Sequence, residues 1–163
     1  MKTGIFYGST TGTTAEIARQ IAKEMGVTEN DIHDVANTSP VKLAEYDLLI
    51  LGSSTWGHGE VQDDWYDFLD GAEALELKGK TIAIFGDGDE TMSDTFCAAM
   101  SVLRRRMEST GASFTGEFPA SAYTFESSPA MLPDGNMVGL ALDNVNHANL
   151  TPERISQWVK TLE

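Results

Sequence analysis

The sequence predicts an α/β fold in which a parallel β-sheet is covered by helices on both faces. Four short apolar runs have the composition of buried strands: residues 3–7, 48–52, 81–86 and 138–142. Residues 31–35 and 114–118 are weaker strand candidates. Apolar residues recur at helical spacing between these runs, and a glycine-containing loop follows each of the first three strong ones. Strands that alternate with helices form a parallel sheet, whose ligands bind beyond the carboxyl ends of the strands.

Each predicted helix is marked by a stripe of apolar residues. The first three stripes are Ile17, Ile21 and Met25; Trp65, Phe68 and Leu69; and Phe96, Met100, Leu103 and Met107. The third helix is expected to carry Cys97 as well. The last helix is predicted with Thr151 as its N-cap and Pro152 at its first position, and its stripe is Ile155, Trp158, Val159 and Leu162.

The length of the chain indicates one domain with one insertion. At 163 residues the chain can bury its own apolar core, and we expect residues 1–163 to form a single domain. The segment from Pro119 to about Met137 carries Ser, Pro, Gly and Asn with scattered aromatics, and it is too long for an ordinary connection. We interpret it as an insertion.

The composition of the chain bears on its cellular location. The first residues lack the long apolar region of a signal peptide, and no window approaches the roughly 20 apolar residues of a membrane span. Cys97 is the only cysteine, which excludes an internal disulfide, a Cys-based zinc site and a Cys-ligated iron–sulfur cluster. We therefore expect a cytoplasmic protein that is not in a membrane.

The charge of the chain bears on its partners. The net charge is −14, from 25 acidic and 11 basic residues. Binding to nucleic acid requires clustered Lys and Arg, so DNA and RNA are excluded as partners. Basic protein surfaces are the natural partners, although the acidic surface could also serve solubility alone.

The first loop, residues 8–14, has the parts of a phosphate site. It follows a strand, opens a helix and carries five hydroxyl side chains, so hydroxyls and backbone N–H groups converge at a helix N-terminus. It lacks the lysine and spacing of a P-loop and the G-x-G-x-x-G pattern of a dinucleotide site. The alternative is that these hydroxyls only cap the helix.

The second loop, residues 52–60, places Trp56 in a glycine-rich turn. Such a side chain would be partly exposed unless a flat ligand covered it, so stacking is its expected use. The alternative is that Trp56 folds back into the core. His58 has no second His or Cys nearby, which argues against a metal role.

The third loop, residues 86–92, has alternating aspartates. Met92 and Ala98 occupy the positions where a calcium loop needs Gly and Glu, so calcium binding is excluded. Its backbone N–H groups could instead meet the polar edge of a planar heterocycle.

In this order and spacing, the three loops resemble those of the flavodoxin family, and the likeness covers nearly the whole chain. The motifs are the Thr-rich loop 9–14, the turn Thr55-Trp56 and the sequence Phe85-Gly86-x-Gly88-Asp89. The resemblance implies a flavodoxin-like three-layer sandwich with a five-stranded parallel sheet of order 2-1-3-4-5 and helices on both faces. The insertion and residues 138–143 are similar to the long-chain type, in which the insertion splits the last strand.

The resemblance also implies one bound FMN, with no catalytic residue and no metal. Its phosphate would be bound by Ser9, Thr10, Thr11, Gly12, Thr13 and Thr14. Ser54 and Thr55 would lie at the phosphate and ribityl chain, and Trp56 against one face of the flavin. The ring edges would contact Gly57, His58 and Gly59 and also Gly86, Asp87, Gly88 and Asp89, with Cys97 near the pyrimidine end.

Three features depart from the family pattern: Met92, Val145, and the sequence Ala120-Ser121-Ala122 ahead of Tyr123, where a polar, glycine-containing sequence is commoner. Met92 takes the place of the Tyr that usually covers the outer flavin face, in a loop one residue shorter. A thioether still packs on an aromatic ring, for about 0.3–1.5 kcal/mol. Val145 stands where long-chain relatives often carry an acid, at an expected partner-contacting surface.

By this resemblance the protein is an electron carrier rather than an enzyme. It would act as a monomer between a flavin reductase or 2-oxoacid oxidoreductase as donor and a low-potential metalloenzyme as acceptor. The loops contain no basic residue and many acids, which disfavours the anionic hydroquinone, whereas a flipped Gly57 carbonyl could favour the semiquinone. We expect shuttling mainly between semiquinone and hydroquinone.

Three other functions can be compared with the residues of this chain. An FMN-dependent NAD(P)H:quinone reductase of the same fold would need a substrate cavity, and the chain shows no evident nicotinamide-binding feature. A receiver domain is excluded because residues 8–10 and 53–55 lack its acidic cluster and phosphorylatable Asp. A non-catalytic flavin store stays open.

Overall fold

The computed structural model describes residues 2–56, 59–89, 91, 95–119 and 128–162. The helices in these ranges are α1 (Thr13–Met25), α2 (Asp64–Ala72), α3 (Ala99–Met107) and α4 (Thr151–Leu162). The strands are β1 (Thr3–Gly8), β2 (Ile32–Asp34), β3 (Leu48–Trp56), β4 (Glu60–Val61), β5 (Thr81–Asp87), β6 (Ser113–Thr115), β7 (Phe118–Pro119), β8 (Asn136–Met137) and β9 (Leu140–Leu142).

The main sheet has the order β2-β1-β3-β5-β6, and these strands are all parallel. Their central members are almost fully buried apolar runs, as expected of a sheet covered on both faces. Numbered among the parallel strands alone, this is the order 2-1-3-4-5, so the predicted fold class is confirmed.

The last strand of the sheet is split in two. β6 pairs with the first half of β5, through Thr81 and Ser113, whereas β9 pairs with the second half, through Phe85 and Leu140. Between them, β7 and β8 form an antiparallel pair. The predicted insertion from Pro119 to Met137 is therefore placed between the two halves of one strand position, although its residues 120–127 lie outside the described part.

Two predicted strands form only in part. The run 114–118 is interrupted at Gly116, whose carbonyl accepts a hydrogen bond from Trp158 Nε1 at 2.6 Å. The run 138–142 pairs with β5 only from Leu140, and Gly139 lies so close to β5 that an added Cβ would overlap the Ile84 carbonyl oxygen. The strand predicted at 31–35 is confirmed as β2.

The apolar stripes of the helices form the core against the sheet. Every predicted stripe residue is buried except Met25, which is partly buried and packs at the edge of the core. The largest buried side chains include Trp65 of α2 and Trp158 of α4. Their indole N–H groups donate hydrogen bonds to the carbonyl oxygens of Gly52 and Gly116, respectively. Helix periodicity therefore predicted the buried faces correctly.

The starts of two helices differ from the prediction. α3 begins at Ala99, so Phe96 and Cys97 lie in the turn before it; Cys97 has a left-handed φ of 52°, which a continuous helix cannot contain. Thr151 is not an N-cap. A 3₁₀ turn leads into α4, and Thr151 already has helical angles (φ −58°, ψ −48°).

Candidate functional site

The carboxyl ends of β1, β3 and β5 meet at one edge of the sheet. Gly8 of β1 lies opposite Ser53 of β3, which lies opposite Gly86 of β5. The three loops singled out in the sequence therefore begin side by side. Because β9 pairs with the end of β5, residues 143–146 add a fourth loop at the same edge.

The first loop presents hydroxyl groups to solvent at the N-terminus of α1. Thr10 and Thr11 are exposed, and Gly12 adopts a left-handed φ of 96° immediately before the helix. No side chain caps α1, whose residues are all described; Ser9 Oγ instead accepts a hydrogen bond from the Gly12 N–H at 3.1 Å. The hydroxyls are therefore not used as a helix cap, and they lie next to the first N–H groups of α1, an arrangement that suits an anion.

Thr14 differs from the other threonines because its hydroxyl is already used. It is buried, and its Oγ1 donates to Asp87 Oδ1 at 2.6 Å. This bond connects the first loop to the third. Burial raises the pKa of the Asp87 carboxyl group above its usual value, and the Thr14 hydrogen bond opposes this only in part.

Gln62 is a buried residue that the sequence reasoning missed. Its Nε2 donates to Thr10 Oγ1 at 3.0 Å and to Asp64 Oδ2 at 2.7 Å, and its Oε1 accepts from the Asp64 N–H. Its own N–H donates to Ser53 Oγ at 3.0 Å. Gln62 therefore connects the first loop, β3 and the start of α2. A polar residue after a two-residue strand carries no pattern that would reveal this role.

The second loop is a hairpin rather than an open turn. β3 continues to Trp56 and pairs antiparallel with β4, with Trp56 opposite Glu60. Trp56 is 41% exposed and does not fold back into the core; its Nε1 donates to Ser54 Oγ at 2.7 Å. Gly59 has a φ of 105°. Gly57 and His58 lie outside the described residues.

Thr55 contacts the start of a helix. Its Oγ1 accepts a hydrogen bond from the Ala99 N–H at 3.1 Å, which satisfies one of the unpaired N–H groups at the beginning of α3. Its hydroxyl proton is still available to a ligand. Cys97, just before this helix, is fully buried, with Sγ 3.7 Å from the Leu142 carbonyl oxygen, and it does not line the clefts described below.

The third loop is built into the sheet. Gly86 is buried next to Met100, and the Gly88 N–H donates to the Leu142 carbonyl at 3.0 Å, continuing the pairing of β5 with β9. The sequence suggested that backbone N–H groups of this loop meet a ligand. The Gly88 N–H does not, because it is already bonded to the Leu142 carbonyl. Met92 lies outside the described residues.

Asp89 and Asn146 join the third loop to the fourth. Asp89 Oδ1 accepts from the Thr91 hydroxyl at 2.6 Å, from the Thr91 N–H at 2.9 Å and from Asn146 Nδ2 at 2.7 Å. The hydrogen bonds from Thr91, followed by that from Asn146, lower the pKa of Asp89. Asn146 Nδ2 also donates to Asp143, whose carboxylate accepts the N–H groups of Val145 and Asn146.

A cleft of about 270 Å³ lies between the four loops. It is lined by Thr11, Thr13, Ser54, Thr55, Trp56, Asp87, Gly88, Asp89, Asn144 and Val145. A smaller cleft of about 140 Å³ also borders Trp56 and is lined by Thr10, Trp56 and Asp63. From the sequence, Val145 was expected at a partner-contacting surface and Asn144 was not assigned a role. Both residues reach the cleft because the second half of the split strand, β9, pairs with the end of β5.

The clefts contain acids and no cation. Among the described residues, the lining includes Asp63, Asp87 and Asp89 but no Lys or Arg. In the same part of the chain, no cluster of His, Cys, Asp and Glu could hold a metal ion. None of the described helices is long and apolar enough to cross a membrane.

Comparison with known proteins assigns the chain to a family. The family model described as flavodoxin matches residues 5–158. The chain belongs to the flavodoxin family. It is 43% identical over 161 residues to Flavodoxin 1 of Escherichia coli K12, covering 98% of this chain and 92% of the relative. It is also 40% identical over 164 residues to flavodoxin of Synechococcus elongatus, covering 99% and 96%.

Solved structures agree with this assignment. The crystal structure of Fusobacterium nucleatum flavodoxin bound to flavin mononucleotide matches with a TM-score of 0.89 and 30% identity, covering 99% of this chain and 97% of that chain. The crystal structure of oxidised Flavodoxin 1 from Bacillus cereus matches with a TM-score of 0.73 and 25% identity, covering 99% and 97%. The family predicted from the three loops is confirmed.

Proposed function

We propose that the protein binds one FMN in the cleft between its four loops and carries single electrons between other redox proteins. One observation carries this proposal: Thr11 and Thr13, at an uncapped helix N-terminus, line the same cleft as the exposed Trp56. One end of this cleft suits a phosphate and the other a flat ring. When bound, FMN supplies the redox chemistry, which no side chain in the cleft can supply.

The phosphate would be held without a positive charge. The proposed ligands are Ser9, Thr10, Thr11, Gly12 and Thr13. Their hydroxyls are exposed at Thr10 and Thr11 and partly buried at Ser9 and Thr13, and the Gly12 N–H would be shared between the phosphate and Ser9 Oγ. Thr14 would contribute only its N–H group, since its hydroxyl donates to Asp87. The partial positive charge at the N-terminus of α1 provides the electrostatic attraction that a Lys or Arg supplies in other phosphate sites.

The ring would lie against Trp56. The hydrogen bond to Ser54 fixes the indole, which presents an exposed flat surface at the cleft. Ser54 and Thr55 would contact the ribityl chain, and Asp89 with Asn144 the far side of the cleft. The predicted ring contacts of Gly57, His58 and Met92 come from the family resemblance, as does a position of Cys97 near the pyrimidine end behind the third loop.

The acids near the cleft support a low potential. Adding an electron to make an anionic hydroquinone is disfavoured beside Asp63 and Asp89, since no cation is among the described residues that line the two clefts. Each 1.4 kcal/mol of such destabilisation lowers a one-electron potential by about 59 mV. We propose cycling mainly between the semiquinone and hydroquinone levels.

The proposed partners are redox proteins with basic docking surfaces. The net charge of −14 favours them, and the exposed Asp63 lines the smaller cleft beside Trp56. A flavin reductase or 2-oxoacid oxidoreductase would be the donor, and a low-potential metalloenzyme the acceptor. We further propose that the chain acts as one domain, as a monomer and in the cytoplasm, and size-exclusion chromatography with light scattering would check the monomer.

An anaerobic reductive titration of the FMN-loaded protein, followed by visible spectroscopy, tests the proposed function. Accumulation of a stable blue radical before full bleaching is expected of a one-electron carrier. Direct two-electron bleaching together with steady NAD(P)H oxidation would instead indicate a quinone reductase. A protein that does not bind FMN would refute the proposal as a whole.

A further inference from the structure

Asp87 places a buried carboxyl group on the wall of the cleft. It is the last residue of β5, lies in register between Ser54 of β3 and Leu142 of β9, and keeps 8% of its surface exposed. Its Oδ1 accepts the Thr14 hydrogen bond at 2.6 Å. None of the ion pairs among the described residues involves Asp87.

The polar and titratable groups at the adjoining ends of the neighbouring elements carry no positive charge. They are Thr14 and Glu16 from α1, Ser54 from β3, Asp143 after β9, and Asp89 from its own loop. The N-terminus of α1 offers a favourable partial charge, which a bound phosphate would share. A negative charge on Asp87 is therefore stabilised by solvent at the open side of the cleft, by one neutral hydroxyl group and by the partial charge at the N-terminus of α1.

We propose that Asp87 takes up one proton from solvent when FMN binds, an inference that rests on the proposed function. FMN would cover the remaining exposed surface of the carboxyl group and would bring a phosphate dianion to the loop that is bonded to it. Both changes disfavour the carboxylate form. Water or buffer supplies the proton, an O–H bond forms on the carboxylate, and no electron is transferred in this step.

Proton uptake makes FMN affinity depend on pH. Burial already raises the pKa of Asp87 in the protein without FMN, and FMN raises it further. Between these two pKa values the Kd rises with pH by up to about tenfold per pH unit, because binding must also draw a proton from an increasingly dilute supply. Asp87→Asn keeps an acceptor for Thr14 but cannot take up a proton.

The test measures FMN binding to the full-length apoprotein by quenching of FMN fluorescence between about pH 5 and pH 9. The ratio of the native Kd to the Asp87→Asn Kd is the readout, since titration of the FMN phosphate affects both proteins equally and cancels. We expect this ratio to rise by about fivefold or more over the range. A constant ratio, with normal binding by both proteins, would overturn the inference and leave the proposed function intact.

Asp89→Asn is the matched control, because it removes one charge from the same cleft at a more exposed carboxylate whose pKa is lowered. The ratio of the native Kd to the Asp89→Asn Kd should not change with pH. If both variants gave ratios with the same pH dependence, the specific role of Asp87 would be overturned. Absence of FMN binding by the native protein at every pH would refute the proposed function and this inference with it.

A second measurement uses the native protein and does not depend on a variant. The ¹³C chemical shift of the Asp87 carboxyl carbon, followed with pH, gives its pKa with and without FMN. We expect the FMN-bound pKa to be the higher of the two. Equal values, or a lower value in the complex, would overturn the inference. Calorimetry in buffers of different ionisation enthalpy counts the protons, and uptake should fall in Asp87→Asn.

Discussion

At the scale of the single residue, burial of Asp87 connects the stability of the apoprotein to pH. Its pKa in the folded protein is raised above the usual aspartate value of 3.8, mainly by burial. Below pH 3.8 the group is mostly protonated in both the folded and the unfolded state and has little effect on the free energy of unfolding. As pH rises through the folded pKa, the unfolded state is favoured because its carboxylate is fully solvated.

We therefore expect Asp87→Asn to stabilise the apoprotein at about pH 8 and to have little effect at about pH 4. Urea unfolding at the two pH values measures the difference, with the midpoint compared at constant slope. The control is Asp134→Asn, at an exposed residue of the insertion, whose effect on the midpoint should be small at both pH values. A stabilisation by Asp87→Asn that is the same at both pH values would contradict the assignment.

Trp56 is a second residue whose contribution can be isolated. Because the Trp56 side chain is 41% exposed, removing it should change the free energy of unfolding of the apoprotein little. Loss of a stacking surface should weaken FMN binding by about 1–3 kcal/mol in Trp56→Ala, by analogy with stacked nucleobases. Trp56→Phe keeps a flat ring and should retain most of the affinity. Equal affinities in all three proteins, measured by fluorescence titration, would exclude stacking on Trp56.

At the scale of the element, Gln62 holds the first loop against the β4–α2 connection. It is 2% exposed and bonds Thr10, Asp64 and Ser53. Gln62→Ala removes the side-chain bonds and leaves the loop less fixed, so we expect a loss of about 1–3 kcal/mol in the free energy of unfolding and weaker FMN binding. Gln157→Ala is the control: its bond to Glu153 is exposed on α4, and the loss should stay within about 0.5 kcal/mol.

Two roles of Gln62, supporting the fold and positioning Thr10, can be measured separately. Equilibrium denaturation measures the effect on stability, and FMN titration of the folded variant measures the effect on the loop. A variant that loses stability but binds FMN with native affinity would show that Gln62 supports the fold without positioning Thr10.

The elements also show what a sequence can and cannot predict. Apolar runs and stripes predicted the central strands and the buried faces of α1, α2 and α4, because burial on both sides of a sheet leaves a direct pattern. The start of α3 could not be predicted in this way. It depends on the Thr55 hydroxyl, which lies 44 positions earlier in the chain, and on the left-handed turn at Cys97.

At the scale of the whole molecule, the order of the strands determined how much of the site was predictable. Three loops could be assigned because each directly follows a strong strand, and parallel strands bring their carboxyl ends together. The fourth loop could not be assigned, because Asn144 and Val145 reach the cleft only through the pairing of β9 with the second half of β5. Likewise, the burial of Asp87 results from neighbours on both sides of β5.

The net charge of the protein should affect how fast it associates with a redox partner. With 25 acidic and 11 basic residues, the protein should attract a basic redox partner at low salt, where the screening length is about 30 Å at 0.01 M. Steering of this kind raises association rates by about 10- to 1,000-fold. Stopped-flow electron transfer to a basic redox protein should therefore slow by at least about tenfold as salt approaches 1 M, where screening shortens to about 3 Å.

The position of the charge should matter as well as its total. Asp63 is exposed beside the Trp56 cleft, whereas Glu108 is exposed after the far end of α3, which starts at the Thr55 contact and leads away from the site. Asp63→Asn and Glu108→Gln remove the same charge from the whole molecule. If the partner docks over the cleft, Asp63→Asn should slow transfer and reduce its salt dependence more than Glu108→Gln does. Equal effects would mean that net charge alone guides the encounter, and a rate independent of salt would exclude electrostatic docking.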